Sequence, residues 1–252
     1  RNVQGNKRVI TIDDDDVTQE FELGATKTLE LCLTHNIHYV ILKDRSPSCG
    51  KGQIYNGDFE GVLVSGHGLT SQLLLDHDVE VYNSSQAPYK KLMVYDFLQE
   101  NQIKFEKYTH EPVFTVEDAG MIQVDMKAQH CKNLFLETKN KKTKLLIILP
   151  FDQRFNFKKI EKAMSISKLK FASKKSLKDN LGVDPGSVGA FGLLYNQKRD
   201  VKVIISNQFK QDERITFHPN INDETLAIDF EDFMRYLIIL GYEPMFVDLE
   251  GE

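Results

Sequence analysis

The stretch "QHCKNLFLETKNKKTKLLIILP", residues 129–150, carries the main fold prediction. Two apolar runs of strand length, "NLFLET" and "KLLIILP", flank the lysine-rich segment "KNKKT", which predicts an antiparallel hairpin. Four polar or reactive side chains, those of His130, Cys131, Lys132 and Asn133, stand where the first strand begins. Because side chains alternate along a strand, His130 and Lys132 should face one side while Cys131 and Asn133 face the other. Without a bend, the four cannot act as one cluster.

The sequence leaves the role of Lys132 open. This residue shares a strand face with Leu134 and Leu136, so its side chain either extends towards solvent or points into a polar cleft. Exposed lysines far outnumber functional ones, which favours the first interpretation when the strand is taken alone. Cys131 and His130 could form a nucleophilic pair, but neighbours in one strand face opposite ways, so Cys131 is predicted to belong to the core.

The chain before residue 84 has the pattern of a small α/β module. Its predicted elements are a helix from Asp16, which is available as N-cap, to about His35, a strand at 38–43, a helix at 69–78 and a strand at 79–83. The turn formers of "SSQAP", residues 84–88, predict a linker. We therefore expect two domains, 1–84 and 89–252.

From Tyr89 onwards, helices and strands mix in the manner of an α+β domain with a mixed sheet. A strand is predicted at 103–110, followed by the turn "EPVFTVEDAG" and a short helix, and a last strand at 243–249. The remaining predicted helices lie at 89–101, at 157–164, at 173–181 and between Asp229, which caps its helix, and Gly241, which ends it.

The composition of this 252-residue chain excludes several classes of protein. The longest aliphatic runs, "LLIIL" and "LIIL", are far shorter than the roughly 20 residues of a membrane helix. The N-terminus does not resemble a secretion signal and lacks a methionine, which is compatible with a fragment. Three widely separated cysteines, and no HExxH, favour a reducing cytoplasm and predict neither a metal site nor a cofactor.

The charge is distributed unevenly along the chain. Residues 127–178 contain fifteen lysines or arginines against three acids, a charge of +12 that leaves −17 for the rest of a chain whose net charge is −5. Such asymmetry is typical of a basic face on an acidic protein that contacts nucleic acid. A lysine-rich surface that only confers solubility is about equally compatible with the charge.

Two further motifs have more than one interpretation when taken alone. "GVDPGSVGAFG" has glycines at 182, 186, 189 and 192; it is not a P-loop, but it could direct several N–H groups at one developing oxyanion, or simply form tight turns. "FHPNIN" contains His218, which could bind a substrate or only satisfy a neighbouring carbonyl.

The order and spacing of these motifs identify a protein family more specifically than any single motif does. "PVFTVEDA" (112–119), "HCKNLFL" (130–136), "LGVDPGSVGAFGLL" (181–194) and "FHPNIN" (217–222) together resemble the YbaK/ProX family of aminoacyl-tRNA deacylases, and particularly its PrdX-type prolyl-tRNA editing proteins. The similarity covers about residues 89–250. It implies a trans-editing hydrolase that removes alanine from mischarged proline tRNA by attack of water on the aminoacyl ester.

The resemblance also implies which residues form the site. Lys132, Gly186 and Ser187 take catalytic positions, and Asn133, His218 and Gly189 take substrate-binding positions. Gly189 and Ala190 stand where the family often has Ser/Thr-Pro, a departure that leaves the loop more flexible. We further expect Val113 and Phe114 to form the wall of a small acyl pocket. Four lysines are expected to bind the phosphates of the acceptor stem: Lys139, Lys141, Lys142 and Lys144.

The resemblance implies two partners, the acceptor end of proline tRNA and prolyl-tRNA synthetase. No contact with a membrane is expected. Two alternatives stay open for the second domain: a deacylase of Cys-tRNA(Pro), and a tRNA-binding accessory protein without catalytic activity. No metal and no cofactor are expected there.

Residues 12–83 resemble the C-terminal part of a second family, which includes thiouracil desulfurases. The likeness rests on "DVTQEFELGA" (16–25), "ILKDRSPSCGKGQIYNGDFEGVL" (41–63) and "GLTSQLLL" (68–75). Members of that family hold an iron-sulfur cluster through three cysteines, whereas only Cys49 matches here, and one thiolate cannot hold a cluster. We therefore expect a structural or substrate-assisting module, with sulfur chemistry as the alternative.

Overall fold

A computed structural model describes residues 2–3, 6–112, 126–209 and 213–249 of the chain. The chain divides into two compact units, Arg1–Pro88 and Tyr89–Glu252, which are described separately. The turn and short helix predicted after residue 112 fall outside the described residues. Among the described residues, no helix combines the length and the apolar character needed to cross a bilayer.

The first unit contains a parallel strand pair with two helices. Its helices are α1, Thr18–Thr34, and α2, Leu69–Leu75. The strands are β1, Asn2–Val3, paired with β2, Asn6–Lys7; β3, Tyr39–Leu42, parallel to β6, Glu80–Asn83; and β4, Gln53–Tyr55, antiparallel to β5, Leu63–Ser65. A small core of Leu29, Cys32, Leu74, Val79 and Val81 joins the helices to β6.

The start of α1 differs slightly from the predicted cap. The N-cap is Val17, and the carboxylate of Asp16 accepts hydrogen bonds from the N–H and the hydroxyl of Thr18 at 3.0 and 2.6 Å. Asp16 therefore lies one residue before the N-cap rather than at it, and its side chain satisfies a free N–H of the first turn. Helix α2 ends at Leu75, before the predicted residue 78, and the backbone turns at Asp78 with φ of 58°.

The second unit is built on one mixed sheet with helices on its faces. The helices are α3, Tyr89–Glu100; α4, Phe157–Ala163; α5, Lys174–Leu181; a 3₁₀ helix, Ala190–Tyr195; and α6, Phe230–Ile239. The strands are β7, Glu106–Thr109; β8, Gln129–Thr138; β9, Lys144–Pro150; β10, Leu169–Phe171; β11, Val201–Ser206; β12, Arg214–Phe217; β13, Glu224–Asp229; and β14, Met245–Val247.

The predicted hairpin is the centre of this sheet. Among the described strands the order is β14-β11-β9-β8-β12-β13-β7, and β10 pairs with the far end of β8. β8 and β9 are antiparallel, with Leu134 opposite Ile147, whereas β8 and β12 are parallel, with His130 opposite Thr216. The parallel pairing with β12 was not predictable from the hairpin, because β12 lies about 80 residues further along the chain.

The two faces of the sheet bury different cores. We call the face that carries Phe135 the large-core face; α3, α5, the 3₁₀ helix and α6 pack on it. The face that carries Leu136 is the small-core face, where α4 packs and to which β10 contributes Leu169. Fully burying one Leu or Phe side chain contributes about 1.5–3 kcal/mol, so both faces stabilise the hairpin. Strand β8 therefore has no wholly solvent-exposed face over its second half.

Candidate active site

The alternation of β8 separates the four polar residues at its start as predicted. Cys131 packs against the large core together with Phe135, while Leu134 and Leu136 pack into the small core. Lys132 therefore lies on the small-core face with His130, and Asn133 lies on the opposite face with Cys131. The adjacent lysine and asparagine, which the family resemblance assigned to one site, project to different sides of the strand.

The side chain of Lys132 turns towards the loop that follows β9. Its Nζ donates a hydrogen bond to the carbonyl oxygen of Gln153 at 2.9 Å and lies 5.9 Å from the ring centroid of Phe151. Burial lowers the pKa of the Lys132 ammonium, and the negative charge of Asp152 opposes that shift. One of three ammonium hydrogens is engaged, which leaves two to bind an oxygen that gains negative charge.

Histidines from three segments gather near His130, which shares the small-core face of β8 with Lys132. The rings of His110, after β7, and His218, after β12, lie 5.8 Å apart. Burial, followed by the proximity of His218 and His110, lowers the pKa of His130 to about 4. Burial also lowers the pKa of His218 from its usual 6.5. His130 and His218 are therefore neutral at pH 7 and can each donate and accept one hydrogen bond.

Buried polar atoms without partners concentrate around these residues. Among the described residues, five carry such side-chain atoms: Asp44, His130, Asn133, Gln153 and Asn220. Three of the five, His130, Gln153 and Asn220, lie in segments next to Lys132 and His218, and both amide atoms of Gln153 are included. An unsatisfied buried polar group costs about 1–3 kcal/mol, and its persistence often marks a functional site.

The glycine loop reaches this region through Gly189 rather than Gly186. A Cβ added to Gly189 would lie 3.6 Å from the carbonyl oxygen of His218, whereas one added to Gly186, where φ is +93°, would meet nothing within 4 Å. The N–H of Ser187 donates to the Asp184 oxygen and that of Gly192 to the Gly189 oxygen, each at 3.1 Å. The N–H groups of Ser187 and Gly192 are thus engaged inside the loop. The side-chain hydroxyl is the group with which Ser187 can bind a substrate.

The predicted RNA-binding lysines lie at the other end of β8. At about 3.3 Å per residue, that end is roughly 20 Å from Lys132 along the strand. Lys141 and Lys144 line a cleft of about 550 Å³ together with Lys175 of α5 and Lys198, and Lys139 and Lys142 are exposed in the adjacent turn. Lys144 pairs with Asp200 at 2.7 Å, so it is less free than its neighbours to bind a phosphate.

Three residues of the site were missed by the sequence prediction. His110 stands at the end of a predicted strand, Gln153 follows the hairpin, and Thr225 lies in the unpredicted strand β13. The only available signal was the position of His110 and Gln153 just past strand ends, where functional groups often lie. Val113 and Phe114, predicted to wall the acyl pocket, are outside the described residues.

The described part of the first unit does not offer the ligands of an iron-sulfur cluster. Cys49 is half-buried, and its N–H bonds Ser46 Oγ at 3.3 Å while its carbonyl accepts from Ser71 Oγ. Cys32 packs in the core of that unit, and burial raises the pKa of its thiol. Among the described residues, no group of three metal-binding side chains comes together. The residues present do not fit a cluster that needs three thiolates.

Two family models match successive parts of the chain. One, described as an aminoacyl-tRNA editing domain, matches residues 110–236, and the other, described as 2-thiouracil desulfurase, matches residues 1–86. These matches confirm both resemblances that the motifs predicted.

Individual relatives divide in the same way. The second unit is similar to the prolyl-tRNA editing protein ProX of Acetoanaerobium sticklandii, with 29% identity over 55% of this chain and 84% of that protein. It is also similar to prolyl-tRNA synthetase associated domain-containing protein 1 of Mus musculus, with 28% identity over 59% of this chain and 89% of that protein. The first unit is similar to YbbK of Bacillus subtilis, with 39% identity over 33% of this chain and 56% of that protein.

The fold also matches a solved structure. A crystal structure described as a candidate trans-editing enzyme for prolyl-tRNA synthetase aligns with a TM-score of 0.51 at 13% identity, over 66% of this chain and 99% of that one. At this identity the likeness concerns the fold alone. It confirms the predicted α+β class with a mixed sheet.

Proposed function

The chain belongs to the aminoacyl-tRNA editing domain family, and we propose that it is a trans-editing hydrolase that deacylates mischarged prolyl-tRNA, with Ala-tRNA(Pro) as the preferred substrate. One observation carries the proposal: a half-buried lysine ammonium, two neutral histidines and several unpartnered buried polar atoms lie together within the matched segment. This combination suits an uncharged ester that becomes an oxyanion as it reacts.

In the proposed reaction the protein supplies electrostatic stabilisation rather than a nucleophile. Water attacks the ester carbonyl carbon, and the resulting oxyanion is stabilised by Lys132 Nζ with help from the loop that carries the Ser187 hydroxyl and Gly189. The bond between the carbonyl carbon and the ribose oxygen then breaks, and a ribose hydroxyl relays the proton to the leaving oxygen. Free alanine and uncharged tRNA are the products.

Cys131 is a poor candidate for a covalent mechanism. Burial raises the pKa of its thiol far above neutrality, and its Sγ lies 3.9 Å from the carbonyl oxygen of Gln129 on the large-core face. A buried protonated thiol is inert as a nucleophile. Water is therefore the attacking group in the proposal.

Substrate selection is assigned to groups around the same centre. His218 and Gly189 lie next to each other, and we propose that they contact the aminoacyl group. The side chain of Asn133 faces the other side of β8 and takes no part in this contact. Val113 and Phe114 are proposed to exclude proline by size. A difference of one or two methylenes gives only about 1–3 kcal/mol, so rejection of proline should be about 10- to 200-fold from size alone.

The lysine-rich end of β8 is proposed to hold the tRNA acceptor stem. The cleft lined by Lys141 and Lys144, with Lys139 and Lys142 at its turn, places positive charge roughly 20 Å from Lys132 along the strand. A strand of nucleic acid whose 3′ end lies at Lys132 can reach this cleft with its phosphates. Proline tRNA, prolyl-tRNA synthetase as a further partner, and a cytoplasmic location are parts of this proposal.

The proposal is tested by measuring which acyl groups the protein releases. The full chain is incubated with proline tRNA carrying alanine, cysteine or proline, and the loss of each ester is followed. We expect alanine to be released fastest and proline slowest. Faster release of cysteine than of alanine would show that Cys-tRNA(Pro), and not Ala-tRNA(Pro), is the preferred substrate.

A non-catalytic accessory protein is the second candidate, since the lysine cleft would bind tRNA whether or not the site turns over. In the same experiment it predicts tight binding of all three tRNAs with no ester loss above the uncatalysed rate. That result would refute the hydrolase proposal.

A further inference from the structure

Thr225 connects the two histidines His110 and His218. It lies in β13 with 2% of its surface exposed. Its Oγ1 is 2.9 Å from His110 Nε2 and 3.3 Å from His218 Nδ1. Each histidine also bonds a backbone carbonyl through Nδ1: His110 bonds the Glu111 oxygen at 2.9 Å, and His218 bonds the Glu224 oxygen at 2.8 Å.

These contacts allow one arrangement of protons when both rings are neutral. A carbonyl oxygen only accepts, so Nδ1 of each histidine must carry a hydrogen. Nε2 of His110 is then an acceptor, and the hydroxyl hydrogen of Thr225 must point to it. The lone pairs of Thr225 Oγ1 consequently face His218 Nδ1–H, which shares its hydrogen between this oxygen and the Glu224 carbonyl.

The backbone that ends this chain of bonds is itself held in place. The Glu224 carboxylate is buried, accepts a hydrogen bond from Lys91 Nζ at 2.6 Å and bonds the Tyr95 hydroxyl, both on α3. Since helix α3 anchors the side chain of Glu224, its carbonyl is a fixed acceptor for His218. The ring of His218 is therefore constrained from the β13 side, and its other nitrogen, Nε2, points away from β13.

We propose that Thr225 and His110 are positioning residues that hold His218 as the Nδ1–H tautomer, so that His218 Nε2 accepts a hydrogen bond from the substrate. The inference rests on the proposed deacylase function. The substrate group is a hydrogen-bond donor, and two such donors exist near the ester of an aminoacyl-tRNA: the α-ammonium group and the neighbouring ribose hydroxyl.

The tautomer is measured directly by ¹⁵N spectroscopy of the full chain with labelled histidine, because protonated and unprotonated ring nitrogens have distinct shifts. Loss of one signal set in His218→Gln assigns the residue. We expect His218 Nδ1 to be protonated and Nε2 unprotonated in the wild type. A wild-type protein in which Nε2 carries the hydrogen would overturn the proposal.

A pair of variants separates positioning from simple packing. In His110→Phe the Thr225 hydroxyl loses its acceptor and can donate to His218 Nδ1, so an Nε2–H fraction should appear. Adding Thr225→Val to that variant removes the hydroxyl hydrogen, and the Nδ1–H form should return. If neither change alters the ¹⁵N shifts of His218, His110 and Thr225 only pack, and the proposal is wrong.

Kinetics give an independent test. His110→Phe, which admits the Nε2–H form, should lower kcat/KM for Ala-tRNA(Pro) by about tenfold, the usual effect of losing one hydrogen bond, and adding Thr225→Val should return it to within about twofold of wild type. An equal loss in the single and the double variant would contradict the proposal.

Two modified substrates identify the donor. An N-acetylalanyl ester lacks the ammonium, and a tRNA ending in 2′-deoxyadenosine lacks the hydroxyl. The substrate with which His110→Phe no longer lowers the rate identifies the bonded group. If the effect of His110→Phe persists with both substrates, His218 does not bind either donor and the proposal fails. Failure of the deacylase function itself would show as an inactive wild type with the predicted tautomer intact.

Discussion

The two ends of strand β8 carry lysines in contrasting surroundings. At the start, Lys132 is half-buried, its Nζ bonds a backbone carbonyl, and burial lowers its pKa. At the end, Lys139, Lys141 and Lys142 are exposed in a turn, and Lys144 pairs with Asp200. Residue type alone therefore says little about a lysine, because desolvation and neighbouring carbonyls determine whether it stabilises a reacting oxygen or a distant phosphate.

The largest effect is expected at the buried end. Lys132→Ala should reduce kcat for Ala-tRNA(Pro) by about 10²–10³-fold, the usual effect of removing an oxyanion donor. Single-turnover deacylation measures it. The matched control is Lys202→Ala, an exposed lysine of β11, which should leave the rate unchanged. Hydrolysis by Lys132→Ala at the wild-type rate would show that the catalytic assignment is wrong.

A smaller effect, on binding, is expected at the exposed end. Replacing Lys139, Lys141 and Lys142 by alanine should weaken tRNA binding. The slope of log K against log[salt] should become shallower by up to about 0.7–0.9 for each phosphate that the variant no longer neutralises. At saturating tRNA, kcat should stay the same. Binding is measured by fluorescence anisotropy at several salt concentrations.

The control for that experiment removes equal charge elsewhere. Exposed lysines at 27, 104 and 202 are replaced together, which alters the net charge identically without touching the turn. If both triple variants lose the same affinity for tRNA, the lysines of the turn have no specific role in binding. Lys132 would then be the one lysine of β8 and its turn with an assigned function.

The smallest expected effect concerns stability and pH. His130 has a folded-state pKa of about 4, below the usual 6.5, so between these values the unfolded chain binds more protons. Stability is therefore complete above pH 6.5 and falls as the pH decreases towards 4, with a slope of at most ~1.4 kcal/mol per pH unit. Urea unfolding of the second unit, followed by its own NMR signals, measures this slope.

A variant assigns the slope to the buried histidine. His130→Gln should flatten the dependence on pH, whereas His35→Gln, which removes an exposed histidine of the first unit, should not. An unchanged slope in His130→Gln would mean that other groups cause the loss of stability in acid.

The sequence was most informative where periodicity is long and local. The hairpin of β8 and β9, helix α3 and helix α6 lie where the pattern predicted, since each buries a regular apolar stripe. Strands β10, β11 and β13 were missed because they are short or form a buried run between irregular segments, where strand and loop patterns are hard to tell apart.

The candidate site was predictable only in part. Motif order pointed to Lys132, His218 and Gly189, and the structure brings Gly189 beside His218. It places Asn133 on the face opposite Lys132, and it leaves Gly186 exposed. The contributions of His110, Gln153 and Thr225 depend on which strands become neighbours, and no local pattern encodes that choice.

Local periodicity and motifs in fixed order were enough to predict the two-part composition, the hairpin, the alternation of side chains along β8 and the family. They were not enough to predict which lysine is desolvated or which histidines meet. Those properties depend on the parallel pairing of β8 with β12 and on β13 beside it, which joins residues far apart in the chain. Burial and hydrogen bonding in the folded unit then fix the charge and the proton positions of groups whose chemistry the sequence leaves open.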